Sequence, residues 1–447
     1  MRIRALVVFV VTLASSMIVL GSSVSGDGLE ADRYWPKWRG PHMTGVAPHA
    51  TPPVEWSESK NVAWKVEIPG KGSATPVVWN DRIFVLTAVP TGERIEPPAP
   101  AEPSGGRPRL SSPADRVQQF TILALRRSDG TTLWKRVLRE EVPHEGTHPT
   151  GTWASASPVT DGEIVIASFG SQGLYALSMD GELLWETDLG DMTVKLGFGE
   201  GSSPALGTDR VFVQWDHEGE SFLVALDRST GREVWRQKRD EGTSWASPLV
   251  VEHDGGAQVI TSATGRVRSY DADSGDLLWE GPGLTQNAIP TPVYQDGLVF
   301  LTAGFRGNAL LAVKLAEAKG DISGSPAVAW SFDRDTPYVP SPLLYGDELY
   351  LLKDRKGLLS CFDARTGKLH YGPKRLPDVP NVYASPLGAD GRIYVAGREG
   401  TTAVIQSGPK FEVLATNTLE DGFDASPIAV GSELYLRGQR FLYRISR

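Results

Sequence analysis

One pattern recurs along this chain and constrains it more than any other feature. It opens with Ser-Pro or Thr-Pro and runs through alternating strands separated by Gly-containing turns. It then passes an Asp-x-x-x-Gly turn and closes on an aromatic ring. The unit reads SPVTDGEIVIASFGSQGLYALSMDGELLW over 157–185 and SPALGTDRVFVQWDHEGESFLVALDRSTGREVW over 203–235. It returns as SPLVVEHDGGAQVITSATGRVRSYDADSGDLLW over 247–279 and SPLLYGDELYLLKDRKGLLSCFDARTGKLHY over 341–371. The opening mark stands at 75–76, 157–158, 203–204, 247–248, 291–292, 341–342, 385–386 and 426–427. The closing aromatic stands at Trp64, Trp134, Trp185, Trp235, Trp279, Trp330 and Tyr371, and the eighth slot is degenerate near Leu414.

A repeat of this length and turn content is one antiparallel meander, which buries its faces only by stacking against copies of itself. Segments such as RIYVAG (392–397) and ELYLR (433–437) alternate side chains between two faces. Proline at the start of an inner strand costs little, because the missing N–H lies outside the ladder. The predicted fold is therefore all-β, an eight-bladed β-propeller of four-stranded antiparallel blades. The two marks are offset. Trp64 precedes the first Thr-Pro, and the last unit, SPIAVGSELYLRGQRFLYRISR, lacks an outer strand. The segment 61–69, NVAWKVEIP, supplies that strand, so the last blade is closed by an N-terminal strand and no sheet edge is left open at the seam. Repeated aromatics at blade ends are read as cement between blades, each indole N–H needing an acceptor.

The remaining chain divides around this ring. Residues 1–26 read as a signal peptide: Arg2 and Arg4, an apolar run over 5–20, then small residues with Val24 and Gly26 before cleavage at Asp27. Residues 27–60 form an N-terminal extension and 61–447 the propeller. The leader holds two arginines and no acid, so 43 Lys plus Arg face 54 Asp plus Glu beyond it, a formal −11. That balance argues against nucleic-acid binding, which needs a basic footprint. No second long apolar run follows, so the mature chain is expected to lack a transmembrane segment and to be periplasmic or secreted. Cys361 is the one cysteine, so no internal disulfide forms, and its strand setting suits a buried thiol.

Function on a repeated scaffold sits where the repeat is broken. The first blade carries a Pro-, Ser- and Gly-rich insertion, 91–117, expected to lack an ordered element. A second break, 139–158, carries His144 and His148. Their spacing suits a metal only on a helix, and the surrounding prolines and glycines oppose one, so no metal site is assigned. A third break, 190–204, contains LGFGEG with Lys195 and Glu200 as polar groups. Loops leading into the inner strands share a face with the turns between strands two and three. That face gathers Trp153, Phe198, Glu200, Trp245, Asn287 and Tyr383 from the first set. From the second it gathers Gln172, His217, Arg306, Asn308, Asp354, Lys356, Arg398 and Glu399. Together with Lys195 they make a candidate binding face around a central funnel.

The units LYALSMDGELLW (174–185), LVALDRSTGREVW (223–235) and VRSYDADSGDLLW (267–279) resemble the quinoprotein-like propellers with PQQ-like repeats. The resemblance covers 61–447. The opening WPKWRGPHMTGVAP (35–48) is similar to that of secreted propellers of planctomycete-type bacteria. The resemblance implies one of two branches. In the branch of quinone- and Ca²⁺-dependent alcohol or sugar dehydrogenases, many alcohol-oxidising members use adjacent paired cysteines, which are absent here, and a Glu-Asn-Asp set that finds no match on this repeat, so no catalytic, cofactor or metal residue is carried over. The other branch resembles the outer-membrane assembly scaffold, whose lipobox cysteine is also absent. The reading is a monomeric, non-catalytic binding or scaffold propeller without a cofactor. A protein partner is expected, with a quinone- and Ca²⁺-dependent alcohol or sugar dehydrogenase-like enzyme and a glycan- or small-metabolite-binding module as the alternatives.

Overall fold

The computed structural model describes residues 30–92, 94–95 and 111–447. The leader and most of the insertion, including 96–110, lie outside the described residues. The chain forms eight sheets arranged as the blades of a propeller. Blade 2 is representative, with strands Val159–Thr160, Ile164–Ser168, Leu174–Ser178 and Leu183–Thr187 in consecutive antiparallel order. The eighth blade comprises Ile428–Val430, Glu433–Arg437 and Phe441–Ile445, with Val62–Glu67 as its fourth strand. Lys65 lies opposite Tyr443 and Val66 opposite Leu442 in that closure. Among the described residues no helix is long and apolar enough to cross a membrane.

The eight Ser/Thr-Pro marks meet at the centre and close a ring of hydrogen bonds. Each Ser or Thr backbone N–H donates to the side-chain hydroxyl of the corresponding residue in the next blade. Thr75 N–H donates to Ser157 Oγ at 3.0 Å, Ser157 to Ser203 at 2.9 Å, and Ser203 to Ser247 at 2.9 Å. Ser247 then donates to Thr291 at 3.3 Å, Thr291 to Ser341 at 3.0 Å, and Ser341 to Ser385 at 2.9 Å. Ser385 donates to Ser426 at 2.9 Å, and Ser426 donates to Thr75 Oγ1 at 3.1 Å, which completes the circle. All eight residues are buried. Each N–H would otherwise be an orphan donor in the crowded centre. The proline that follows has no N–H to satisfy.

At the outer edge five tryptophans tie their blade to the next. Trp64, Trp134, Trp185, Trp235 and Trp330 donate their indole N–H to the carbonyls of Arg127, Met179, Arg228, Ala272 and Ala364 in the following blade. The Asp-x-x-x-Gly turn lies flat on the ring: a Cβ at Gly231 would sit 2.5 Å from Trp185, and its φ of +68° suits only glycine well. Trp279 departs from the pattern. The following turn is replaced by a longer segment whose residues Gly320–Asp321 pair in parallel with its own blade, and its N–H reaches Gln258 Oε1 at 3.3 Å within that blade. The Tyr371 hydroxyl has no hydrogen-bond partner among the described residues.

The eighth slot is degenerate, one residue beyond Leu414. Register places Ala415 there, opposite Val404, and leaves Leu414 exposed. A ring still fills the space, but it comes from the N-terminal extension. Trp56 stacks on Tyr394 with ring centroids 6.4 Å apart. Tyr394 holds the register position at which Phe84, Phe212 and Phe300 meet Trp134, Trp235 and Trp330. Asn417 fixes Trp56 by accepting its backbone N–H and donating to Val54 O, each at 2.9 Å. Local periodicity could not reveal a ring supplied from 359 positions earlier in the chain.

The rest of the extension runs beneath the ring. Trp35 pairs with Val78, Pro36 O accepts from Thr160 N–H, and Gly45 O and Ala47 N–H pair with Gly388. Trp38 donates its indole N–H to Thr291 Oγ1 at 3.0 Å. Arg39 is buried, and its guanidinium caps Pro342 O and Pro386 O at 2.9 Å each. Burial with no acid beside it pushes the Arg39 pKa down. The extension thus bridges blades 1, 2, 5, 6 and 7 on the side opposite the incoming loops.

The ring predicts the cost of losing one hydroxyl. Ser203→Ala leaves the buried Ser157 N–H without an acceptor, and should lower stability by about 1–3 kcal/mol. Urea unfolding followed by tryptophan fluorescence measures it, with an unchanged m-value expected.

Candidate functional site

Extended backbone turns alternate residues inward, so the position two before each ring hydroxyl also faces the axis. These positions are Ser73, Ser155, Gly201, Trp245, Ile289, Val339, Tyr383 and Asp424, and all of them line one central cavity. Its floor is the ring of hydroxyls with Trp38 beneath, and its volume is 430 Å³. These inward positions are small over blades 1 to 3 and carry larger side chains over blades 4 to 7. His148, Thr150, Phe198, Phe305, Tyr338 and Arg355 form the upper rim. The result is a cup open toward the incoming loops.

Aromatic and cationic groups dominate that rim. Phe305 stacks on Tyr338 with centroids 4.6 Å apart, and Phe198 lies 6.5 Å from Trp245. The Arg398 guanidinium stands 4.0 Å from the Tyr383 ring centre and pairs with Asp424 at 2.5 Å. Arg355 lies 5.7 Å from the Tyr338 ring. His148 packs edge-on against Phe198, and its Nδ1 accepts from Thr150 N–H at 3.2 Å. Burial, then the charges of Arg355 and Arg398, hold the His148 imidazole below its ordinary range. It enters neutral solution uncharged while the guanidiniums around it stay charged.

The sequence-named residues separate into three groups. Phe198, Glu200, Trp245 and Tyr383 line the cup. Trp153 and Gln172 join Glu200 and Trp245 around a narrow crevice of 40 Å³ between blades 2 and 3, and Arg398 lines a side cavity beside the cup. The others brace loops or face solvent. His217 Nδ1 accepts from Thr193 N–H, Asn308 Oδ1 from Thr336 N–H, and Asp354 Oδ1 from Tyr338 N–H. Lys195 is tied by its backbone N–H to Thr243, and Asn287 donates to Tyr338 OH. Arg306, Lys356 and Glu399 are exposed. Sequence reasoning passed over Phe305, Tyr338, Arg355, Ile289, Asp424 and Trp38. Arg306 and Asp354 were each one residue away from Phe305 and Arg355. The spacing of two before each Ser/Thr-Pro is the signal that would have found much of the wall.

Glu200 holds the crevice against the cup. Its carboxylate accepts from Ser171 N–H at 2.7 Å and Ser171 Oγ–H at 2.6 Å. Glu145 next to it is itself engaged, accepting from Val194 N–H at 2.9 Å. His144 sits alongside, with Nε2 2.9 Å from Met192 O. Burial pushes the Glu200 carboxyl up to about 7, outweighing the two Ser171 hydrogen bonds that favour its ionised form. Among the described residues no three His, Cys, Asp or Glu side chains are grouped as a metal site, and His144 and His148 do not converge on one. Cys361 is buried, and burial pushes its thiol up to about 12.

Fold and repeat define an eight-bladed propeller of the PQQ-like class. The family described as outer membrane protein assembly factor BamB matches residues 53–213, 180–317 and 219–445, overlapping spans that take in most of the chain. The chain belongs to that family. It is similar to the outer membrane protein assembly factor BamB of Shewanella oneidensis, 24% identical over 197 residues, covering 42% of this chain and 49% of the relative. The chain spans about half or less of the length of the curated relatives it matches. Among solved structures, BamB from Moraxella catarrhalis superposes with a TM-score of 0.54 at 13% identity, covering 81% of this chain and 100% of the other. The quinohemoprotein alcohol dehydrogenase ADHIIG from Pseudomonas putida HK5 gives 0.58 at 10% identity, covering 95% and 82%. At these identities the two structures share the fold alone with this chain.

Glu200 gives a pH signature. Its folded pKa lies above the unfolded value, so the folded state binds more protons between about 4.5 and 7. Stability from this group is therefore present below that window and lost as pH rises through it. Thermal unfolding from pH 5 to 7.5 should show a smaller decline in Tm for Glu200→Gln than for the wild type.

Proposed function

We propose that the chain is an exported, non-catalytic scaffold propeller that holds a protein partner in the cup and on the loops around it. The observation that carries this reading is the make-up of the wall. Trp245, Tyr383, Tyr338, Phe198 and Phe305 stand with Arg355 around one open cavity, and Arg398 lies over Tyr383 from the adjoining side cavity. Trp, Tyr and Arg are the side chains that most often dominate binding energy at protein interfaces. Phe305 packs on Tyr338, Phe198 beside Trp245 and Arg398 over Tyr383, and side chains already packed against one another lower the entropy cost of binding. The name of its relatives supports a role in the bacterial envelope, with the periplasm as the compartment.

The quinone and Ca²⁺ reading fits the cup poorly. Both acids that line it are already engaged, Glu200 by Ser171 and Asp424 by Arg398. Each floor hydroxyl already accepts one ring hydrogen bond, and among the described residues no grouped set of metal ligands is present.

The test combines capture with mutation. A photo-crosslinking side chain at Arg306, on the cup side, should capture a defined envelope protein from the source cell, and one at Lys60, on the extension, should not. Trp245→Ala with Tyr338→Ala should weaken binding of that protein by roughly 30-fold or more, about 2 kcal/mol. Equal affinity of the double variant would remove the cup as the site. Turnover of an alcohol or sugar in a dye-linked assay with quinone and Ca²⁺ would overturn the non-catalytic reading.

A further inference from the structure

The cup has a side cavity of 180 Å³ at the seam between blades 8 and 1, lined by Lys71, Ser73, Thr150, Arg398, Asp424 and Arg437 among others. Ser73, Thr150, Gly151 and Asp424 line both spaces, so the two are continuous. Arg437 is 2% exposed and lies at the end of its strand. Among the described residues its side chain makes one hydrogen bond, from a guanidinium nitrogen to Ala74 O at 2.8 Å. No acid pairs with it among the described residues. The backbone is shaped around this cation: a Cβ at Gly72 would sit 2.3 Å from an Arg437 nitrogen.

The charge balance of the cavity is cationic. Asp424 is its one acid, and both of its oxygens face Arg398, at 2.5 and 3.4 Å. That leaves Arg437 and the exposed Lys71 without counter-charges among the described residues. Burying a guanidinium without a carboxylate is costly, and an arginine keeps its charge where other groups would neutralise. Burial alone pushes the Arg437 pKa down, with no neighbouring charge opposing it. A fork of N–H donors beside hydroxyls, at the edge of a binding cup, matches a carboxylate in shape and charge.

We propose that this side cavity is an anion site that receives a carboxylate of an acidic peptide segment, with Arg437 as the principal donor and Lys71 at its mouth. The source of that segment rests on the protein-partner reading of the cup; the anion site itself does not. An acidic stretch of the partner would lie across Tyr383 and Arg398 and place one carboxylate in the seam.

The test uses the full chain and the free peptide N-acetyl-Asp-Glu-Asp-amide, so its result is independent of whether Trp245 and Tyr338 hold a protein. Saturable binding by calorimetry and a Tm that rises with peptide concentration are expected, both weakening as salt is raised. Arg437→Met should weaken the peptide at least tenfold while its own Tm stays equal to or above that of the wild type, because it removes an uncompensated buried charge. Lys71→Ala, an exposed change, should weaken the peptide about threefold with Tm unchanged. Equal peptide affinity in wild type and both variants would overturn the proposal. So would binding of inorganic phosphate with no binding of the peptide, since the site would then not be one for carboxylates.

Discussion

Everything in this molecule hangs on eight hydroxyls at its axis. A propeller brings eight inner strands together at its axis, where the eight Ser and Thr residues are buried and side chains have little room. Their N–H groups must find acceptors there. Serine and threonine solve this with the smallest side chain that can accept a hydrogen bond, and each hydroxyl serves the neighbouring blade. The pattern is directional and closes only when Ser426 reaches Thr75. Blade number and seam geometry are therefore coupled: no blade can shift without leaving a buried donor unpaired. At about 0.5–1.5 kcal/mol net for each bond, the ring is a modest share of stability but a strong constraint on geometry.

The same ring makes a floor. Trp38 underlies it and the extension from residue 30 onward seals the far side, so the axis is a cup instead of a tunnel. The cup is lopsided because the inward positions change from small at Ser73, Ser155 and Gly201 to large at Trp245 and Tyr383. Its rim is aromatic and cationic although the chain as a whole is acidic, with a formal charge of −9. Electrostatic complementarity of that kind selects partners and speeds encounter more than it adds affinity.

The blade count, the four-stranded meanders and the N-terminal closure were legible in the sequence because each is a local repeat with fixed turn chemistry. The Ser/Thr-Pro marks were visible too, but as strand starts. Their mutual hydrogen bonding needs the ring closed in space. Two features were out of reach for the same reason. Trp56 replaces the ring missing at Ala415, and Arg39 caps the carbonyls of Pro342 and Pro386, across hundreds of residues in each case. The loop face was legible only by half. Residues tied to the strand register, such as Trp245 and Tyr383, could be placed. In the turns the inward direction depends on backbone angles, so Arg306 and Asp354 stood next to the side chains that line the cup.

The hydroxyl ring closes the propeller as one unit. Native-state hydrogen exchange at the backbone amides of Thr75, Ser157, Ser203, Ser247, Thr291, Ser341, Ser385 and Ser426 tests it directly. If the ring acts as a unit, all eight exchange with one common protection close to that of global unfolding. If the seam amides of Thr75 and Ser426 exchange orders of magnitude faster than the other six, the blades open independently and the claim is wrong.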